Sequence, residues 1–155
     1  MPYAKTTDVS VAKTEAEIKL MLQRHGATAT AFAQDQERAL IMFHMQDRHI
    51  TFRLPLPSLS NPEFERDGRN SVRSPAKRYE AWEQACRSRW RGLLLCIKAK
   101  LESVESGIET FEDAFLAHIQ MPDGMTVGEH TKPLIASSYA GNPMQPLLPG
   151  PQGRQ

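Results

Sequence analysis

Apolar positions along this chain fall first at helical spacing, then at strand spacing, then at helical spacing again. Ile18, Met21 and Leu22, with His25 extending the row, sit three and four residues apart, the period of one helix face. Thr14 followed by Glu17 is a capping-box pattern, in which a hydroxyl and a carboxylate satisfy amides at a helix start, and Gly26 is a stop signal. The spacing predicts a first helix from about Glu15 to His25 that covers another layer. Beyond Gly26 the period becomes two. Residues 28 to 34, 38 to 46 and 48 to 55 are β-prone runs parted by polar turns at Asp35 to Glu37 and Gln46 to Arg48, which predicts an antiparallel meander. Ile41, Phe43 and Met45 share one face of the second run, and Ile50, Phe52 and Leu54 one face of the third, so the two offer a common apolar surface. Val9 and Val11 are expected to add a short edge strand. Pro55 and Pro57 end the meander, because proline has no amide to give a ladder.

Residues 57 to 75, PSLSNPEFERDGRNSVRSP, have no apolar period and many turn formers, and predict a mobile surface loop carrying Arg66, Arg69 and Arg73. Next, Tyr79, Trp82, Cys86, Trp90, Leu93, Ile97, Leu101, Val104 and Ile108 advance by three or four without a break. They predict an amphipathic helix from about Ala76 to Ser106, roughly 45 Å long at ~1.5 Å per residue. Gly107 stops it, and Thr110 with Asp113 opens a short helix through Ile119 that buries Phe111, Phe115 and Ile119. Pro122, Asp123 and Gly124 form a turn, and Thr126 with Glu129 repeats the capping-box pattern for a last helical segment interrupted at Pro133 and ended near Gly141 and Asn142. The tail from Met144 has too much proline and glycine for regular structure, and Leu147 and Leu148 are expected to dock on the body or on a partner. The expected fold is α+β: an N-terminal helix on a three- or four-stranded antiparallel sheet, followed by a long amphipathic helix and two shorter helical segments. It forms one domain over residues 1–143 with a tail at 144–155.

Composition narrows the class without changing the fold. At 155 residues, 40% hydrophobic and 24% charged, the chain suits a single globular core. The longest apolar run, GLLLCI at 92 to 97, is far short of the ~20 residues that span a bilayer, and MPYAKTTDVS has no apolar signal-peptide core. No membrane partner and a cytoplasmic location are expected. Cys86 and Cys96 lie ten residues apart on one helix, about 15 Å in rise against a disulfide limit of ~7 Å, so both are expected as free thiols.

The distribution of charge is more informative than its net value of +1. Residues 66 to 100 carry ten basic and three acidic side chains, and residues 101 to 130 carry none and seven, so a local +7 is followed by a local −7. Either the two stretches neutralise each other within the fold, or the first is a basic face offered to something acidic. Basic and aromatic residues interleave there, as in surfaces that neutralise phosphates and stack bases. On a helical wheel Lys77, Arg87, Arg91 and Lys98 oppose the apolar stripe, while Arg78, Arg89 and Lys100 share a flank. Trp82 and Trp90 lie on the stripe itself, where core packing is the simpler role. The candidate binding residues are Arg66, Arg69, Arg73, Lys77, Arg78, Arg87, Arg89, Arg91 and Lys98.

Catalytic chemistry has no comparable support. His25, His44, His49, His118 and His130 show no zinc spacing, and there is no GxxxxGK, GxGxxG, GxSxG or CxxC. Glu102, Glu105, Glu109, Glu112 and Asp113 recur at helical spacing but suit a wet surface near a helix start better than a metal site. No metal, no cofactor and no enzymatic activity are expected.

The stretch RYEAWEQACRSRWRGLLLCIKAKLESVESGIETFEDAFLAHI, the following PDGMTVGE, the terminal PLLP and the earlier TDVSVAKTEAEIKLMLQRHGA together resemble a group of small proteins encoded by tailed phages and prophages. The resemblance covers most of the chain and supplies no catalytic residues. It implies a phage origin, an intracellular setting, and an accessory role in recombination or replication or in inhibition of a host defence factor; a virion or assembly protein is a third class. Joined to the basic segment, it leads to the expectation of a nucleic-acid-binding accessory protein, with single-stranded DNA favoured. The alternative is an inhibitor that sets the same basic helix on an acidic protein surface.

Overall fold

The computed structural model describes residues 3–148 and 150. A 3₁₀ turn over Tyr3–Thr6 leads to α1 (Val11–Arg24), the strands β1 (Ala29–Gln34), β2 (Arg38–Met45) and β3 (Arg48–Pro55), and a second 3₁₀ turn at Pro62–Phe64. Then come α2 (Pro75–Glu105), α3 (Phe111–Phe115), a third turn at Leu116–His118, and α4 (Val127–Tyr139). The three strands form one antiparallel sheet in the order β1-β2-β3, so the fold is α+β as the periods predict.

The sheet is a meander because both connections are tight turns, of three and two residues. Gln46 and Asp47 adopt positive φ, 48° and 59°, the backbone that matches the twist of flanking strands. At the other turn the Asp35 carboxylate accepts from the amides of Glu37 and Arg38 at 2.8 and 2.9 Å. Alternation then buries Ala39, Ile41, Phe43 and Met45 of β2 with Ile50 and Phe52 of β3, while Leu54 is half-buried. The strand expected at Val9 and Val11 is absent. Ser10 caps α1 by accepting from the Lys13 amide at 3.1 Å, so Val11 is the first helical residue and the sheet has three strands.

The cap expected at Thr14 is likewise corrected. The helix begins one turn earlier, where Ser10 offers an equivalent hydroxyl. Thr14 instead lies fully buried beside Ile18 and Leu22, and Glu17 pairs with Arg91 of α2 at 2.8 Å. A tertiary ion pair thus uses the carboxylate that the local pattern assigned to a cap.

α2 begins at Pro75 after the Ser74 cap, and the positive φ of Gly107 (+74°) ends the helical run. Its stripe buries Cys86, Trp90, Leu93, Ile97 and Leu101, with Leu94 added to it. The ends of the stripe run past the body: Tyr79 is 48% exposed and Ile108, beyond the helix, 79%. Phe43, Phe52, Phe111 and Phe115 form an aromatic cluster, with Phe115 edge-on to Phe43 and Phe52 at centroid separations of 5.9 and 6.2 Å. Thr110 caps α3, which is shorter than expected and passes into the 3₁₀ turn at Leu116. Ile119 is buried and bridges Ile50.

Both halves of the Thr126–Glu129 capping box form. Gly128 is the buried residue of α4, and an added Cβ there would lie 2.9 Å from the carbonyl oxygen of Ala117, so glycine is what lets this turn approach. Leu147 and Leu148 are 41% and 39% exposed. The last residues of the expected tail, 151–155, lie outside the described residues. No described helix is long and apolar enough to cross a membrane.

Candidate nucleic-acid interface

The basic segment is built from the 57–75 loop and the first half of α2. The loop carries more internal structure than its composition suggests. Phe64 is buried, the Asn61 side chain caps the Pro62–Phe64 turn, and Arg66 bridges Val72. The Asp67 carboxylate accepts from the amides of Arg69 and Ser71, both at 2.9 Å, and these bonds, that of Ser71 foremost, hold its pKa below the ordinary value. Three side chains of α2 tie the neighbouring chain down. Trp82 Nε1 donates to the Pro57 carbonyl at 2.7 Å, Arg78 Nε to that of Leu59 at 3.2 Å, and Gln84 Nε2 to that of Thr7 at 2.6 Å.

Two open grooves flank this region. One, of about 600 Å³, is lined by Leu59, Pro75, Arg78, Tyr79 and Trp82 together with Glu37. The other, of about 590 Å³, is lined by Lys5, Phe64, Arg73, Gln84 and Arg89 together with Glu63. The Tyr79 and Trp82 rings lie 5.4 Å apart at 41°, partly open to solvent at the first groove.

The nine nominated cations do not act as one face. Arg73, Arg78 and Arg89 line the grooves. Arg69 stands exposed on the loop, and Arg66 donates to the Asn70 carbonyl at 2.9 Å. Lys77 pairs with Glu80 at 3.3 Å, and Arg78 with Glu65 at 3.6 Å. Arg87 donates to the Gln84 carboxamide oxygen. Arg91 was expected on the outer side of the helix; it is half-buried against α1 through Glu17, because α1 packs along that side of α2. Lys98 is exposed but lies twenty residues from Arg78, about 30 Å of helical rise away. Sequence reasoning missed Lys5, brought in by the N-terminal 3₁₀ turn, and the exposure of Tyr79. No local signal marks Lys5; for Tyr79 the signal is its place at the end of a stripe longer than the layer that covers it.

The neutralisation between the +7 and −7 segments does not occur through ion pairs among the described residues. Glu112 pairs with Arg48, Glu129 with Arg53, and Glu105 with His25, all outside the basic segment. Within that segment only Lys77, Arg78 and Arg91 have carboxylate partners in the described chain. The acidic stretch braces the sheet, and most of the loop and α2 cations stay uncompensated.

No described group of three or more His, Cys, Asp or Glu side chains is placed to hold a metal ion. Burial raises the Cys86 thiol above its ordinary pKa, the opposite of an activated nucleophile. No family model, curated protein or solved structure matches this chain.

Proposed function

We propose that this chain is a non-enzymatic phage accessory protein that binds nucleic acid, single-stranded DNA in the first place, in recombination or replication within the host cytoplasm. The observation that carries this reading is the set of guanidiniums without carboxylate partners among the described residues, Arg69 on the loop and Arg73 and Arg89 in one groove, together with the half-exposed Tyr79–Trp82 ring pair that lines the other. Uncompensated cations release counterions from a phosphate backbone, and a half-exposed ring gives a base something to stack on. Trp90 is fully buried, so stacking falls to Tyr79 and Trp82.

Fluorescence anisotropy with labelled single- and double-stranded oligonucleotides at two salt concentrations tests the reading. Replacing Arg69, Arg73 and Arg89 together by Gln lowers the salt slope for single strands by about two units. Tyr79→Ala weakens single-strand binding by about 1–3 kcal/mol if one base stacks on it. Absence of any anisotropy change for the wild type at low salt refutes nucleic-acid binding.

Glu37 and Glu63 in the groove walls favour a second reading, a protein-binding inhibitor, because two carboxylates repel a phosphate backbone but suit a mixed protein surface. In that case the triple variant loses a host protein partner while bare oligonucleotides bind neither form.

A further inference from the structure

The two edges of the sheet are treated differently. The outer edge of β3 is covered at its start: the Gln120 amide donates to the His49 carbonyl at 2.8 Å, and Ile119 bridges Ile50. Among the described residues β1 pairs with β2 alone. Its sequence, ATAFAQ, contains no charge and no proline, the devices that guard an exposed edge.

The phase of the ladder shows which groups β1 leaves free. Met45 and Arg48 flank the two-residue turn, so odd residues of β2 exchange hydrogen bonds with β3, and the Leu56 amide, 2.8 Å from the Glu37 carbonyl, keeps that phase. Even residues of β2 therefore serve β1, in agreement with the Asp35 amide donating to the Arg38 carbonyl at 3.0 Å. Ala29, Ala31 and Ala33 turn their amides and carbonyls to β2, while Thr30, Phe32 and Gln34 turn theirs outward.

We propose that β1 pairs antiparallel with β1 of a second copy, centred on Phe32, and joins two sheets into one of six strands. In this register Phe32 faces its own symmetry mate and Thr30 faces Gln34, so every outward amide and carbonyl of the three residues finds a partner. Both sheets keep their apolar faces on the same side, because residues directly opposite share a face. Centring on Ala31 instead sets Gln34 against Thr28, whose amide already donates to His44 at 2.9 Å. Charge agrees: Glu37 falls opposite Ala27, three residues beyond Arg24, and neither Arg24 nor Glu37 has an ion-pair partner among the described residues. The contact is isologous and uses the β1 edge of both copies, so it closes at two.

The register places Ala31 opposite Ala33, and both side chains are exposed on the sheet face away from the core. Sedimentation velocity of the full chain is expected to show a monomer–dimer equilibrium. Ala31→Lys with Ala33→Lys opposes like charges twice and raises the dissociation constant by about tenfold, whereas Ala31→Lys with Ala33→Glu opposes unlike charges and preserves the dimer. Amide exchange on the wild type gives a reading free of substitutions, with protection of the Thr30, Phe32 and Gln34 amides rising with protein concentration. A wild type that stays monomeric at every concentration, species larger than dimers, or a Lys/Glu variant as weak as the Lys/Lys variant would each overturn the proposal.

Discussion

The indole Nε1 of Trp82 donates to the carbonyl oxygen of Pro57 across 2.7 Å, and this bond fastens the start of the basic loop to α2. Both flanking grooves are lined by residues of that loop, so the bond shapes the surface to which the proposed function is assigned. Trp82→Phe keeps most of the ring area and removes the donor, at a cost of about 1 kcal/mol. Trypsin is expected to cut the wild type first at Arg69, in the exposed Asp67–Asn70 turn, and the variant faster at Arg66, Arg69 and Arg73. Equal digestion rates would show that the bond does not restrain the loop.

Leu93 is buried on the inward stripe of α2, whereas Ile108 stands mostly in water just past the helix end. Leu93→Ala is expected to destabilise by about 2–5 kcal/mol through lost transfer energy and the cavity left behind. Ile108→Ala should stay within about 0.5 kcal/mol. Urea melts of the two variants against the wild type make the comparison.

α4 is held to the body at its first turn, where Gly128 meets the Ala117 carbonyl. Gly128→Ala favours the helix locally yet brings a methyl against backbone oxygen, and the net result is expected to be a loss of about 1–3 kcal/mol. Amide exchange should locate the loss in α4. A variant as stable as the wild type would mean that the turn shifts without cost.

His118 stacks on Phe52 with centroids 3.9 Å apart. Burial foremost, then the Lys100 charge and, more weakly, that of Lys132, holds its pKa below the ordinary imidazole value, against a hydrogen bond to the Thr51 backbone that acts the other way. The unfolded chain then takes up this proton at higher pH than the folded one, so the contribution is present above the ordinary imidazole value and is lost as pH falls from there toward the lowered folded value. His118→Phe keeps the stack and removes the proton, and its stability should vary less with pH in that range. Glu129 acts at lower pH. Its hydrogen bond from Arg53 and then the Thr126 amide depress its pKa, giving stability that is present above the ordinary carboxylate value and lost as pH falls through the lowered one. Denaturant titrations across both windows, on His118→Phe and Glu129→Gln, separate the two groups.

Local spacing by itself determined the order of α1, the three-stranded meander and α2. The periods of two and 3.6 placed three strands and α2 almost to the residue, because alternation and helical recurrence record which side of each element meets the core. The caps at Thr110 and Thr126 lie beside the residues they serve, and the stops at Gly107 and Gly141 need only a positive φ that glycine supplies. The segregation of positive and negative charge was also visible in the order of residues. Which carboxylate meets which cation was decided only in three dimensions. Glu17 turned from a cap toward Arg91, Glu112 and Glu129 turned to the strand arginines Arg48 and Arg53, and Lys5 joined a groove with Arg73 and Arg89. Those pairings join residues far apart in sequence whose distance depends on how the layers stack, and a one-dimensional period carries no information about it. The same holds for the edge of β1, left unpaired among the described residues, since a strand's sequence does not say whether a neighbour will cover it.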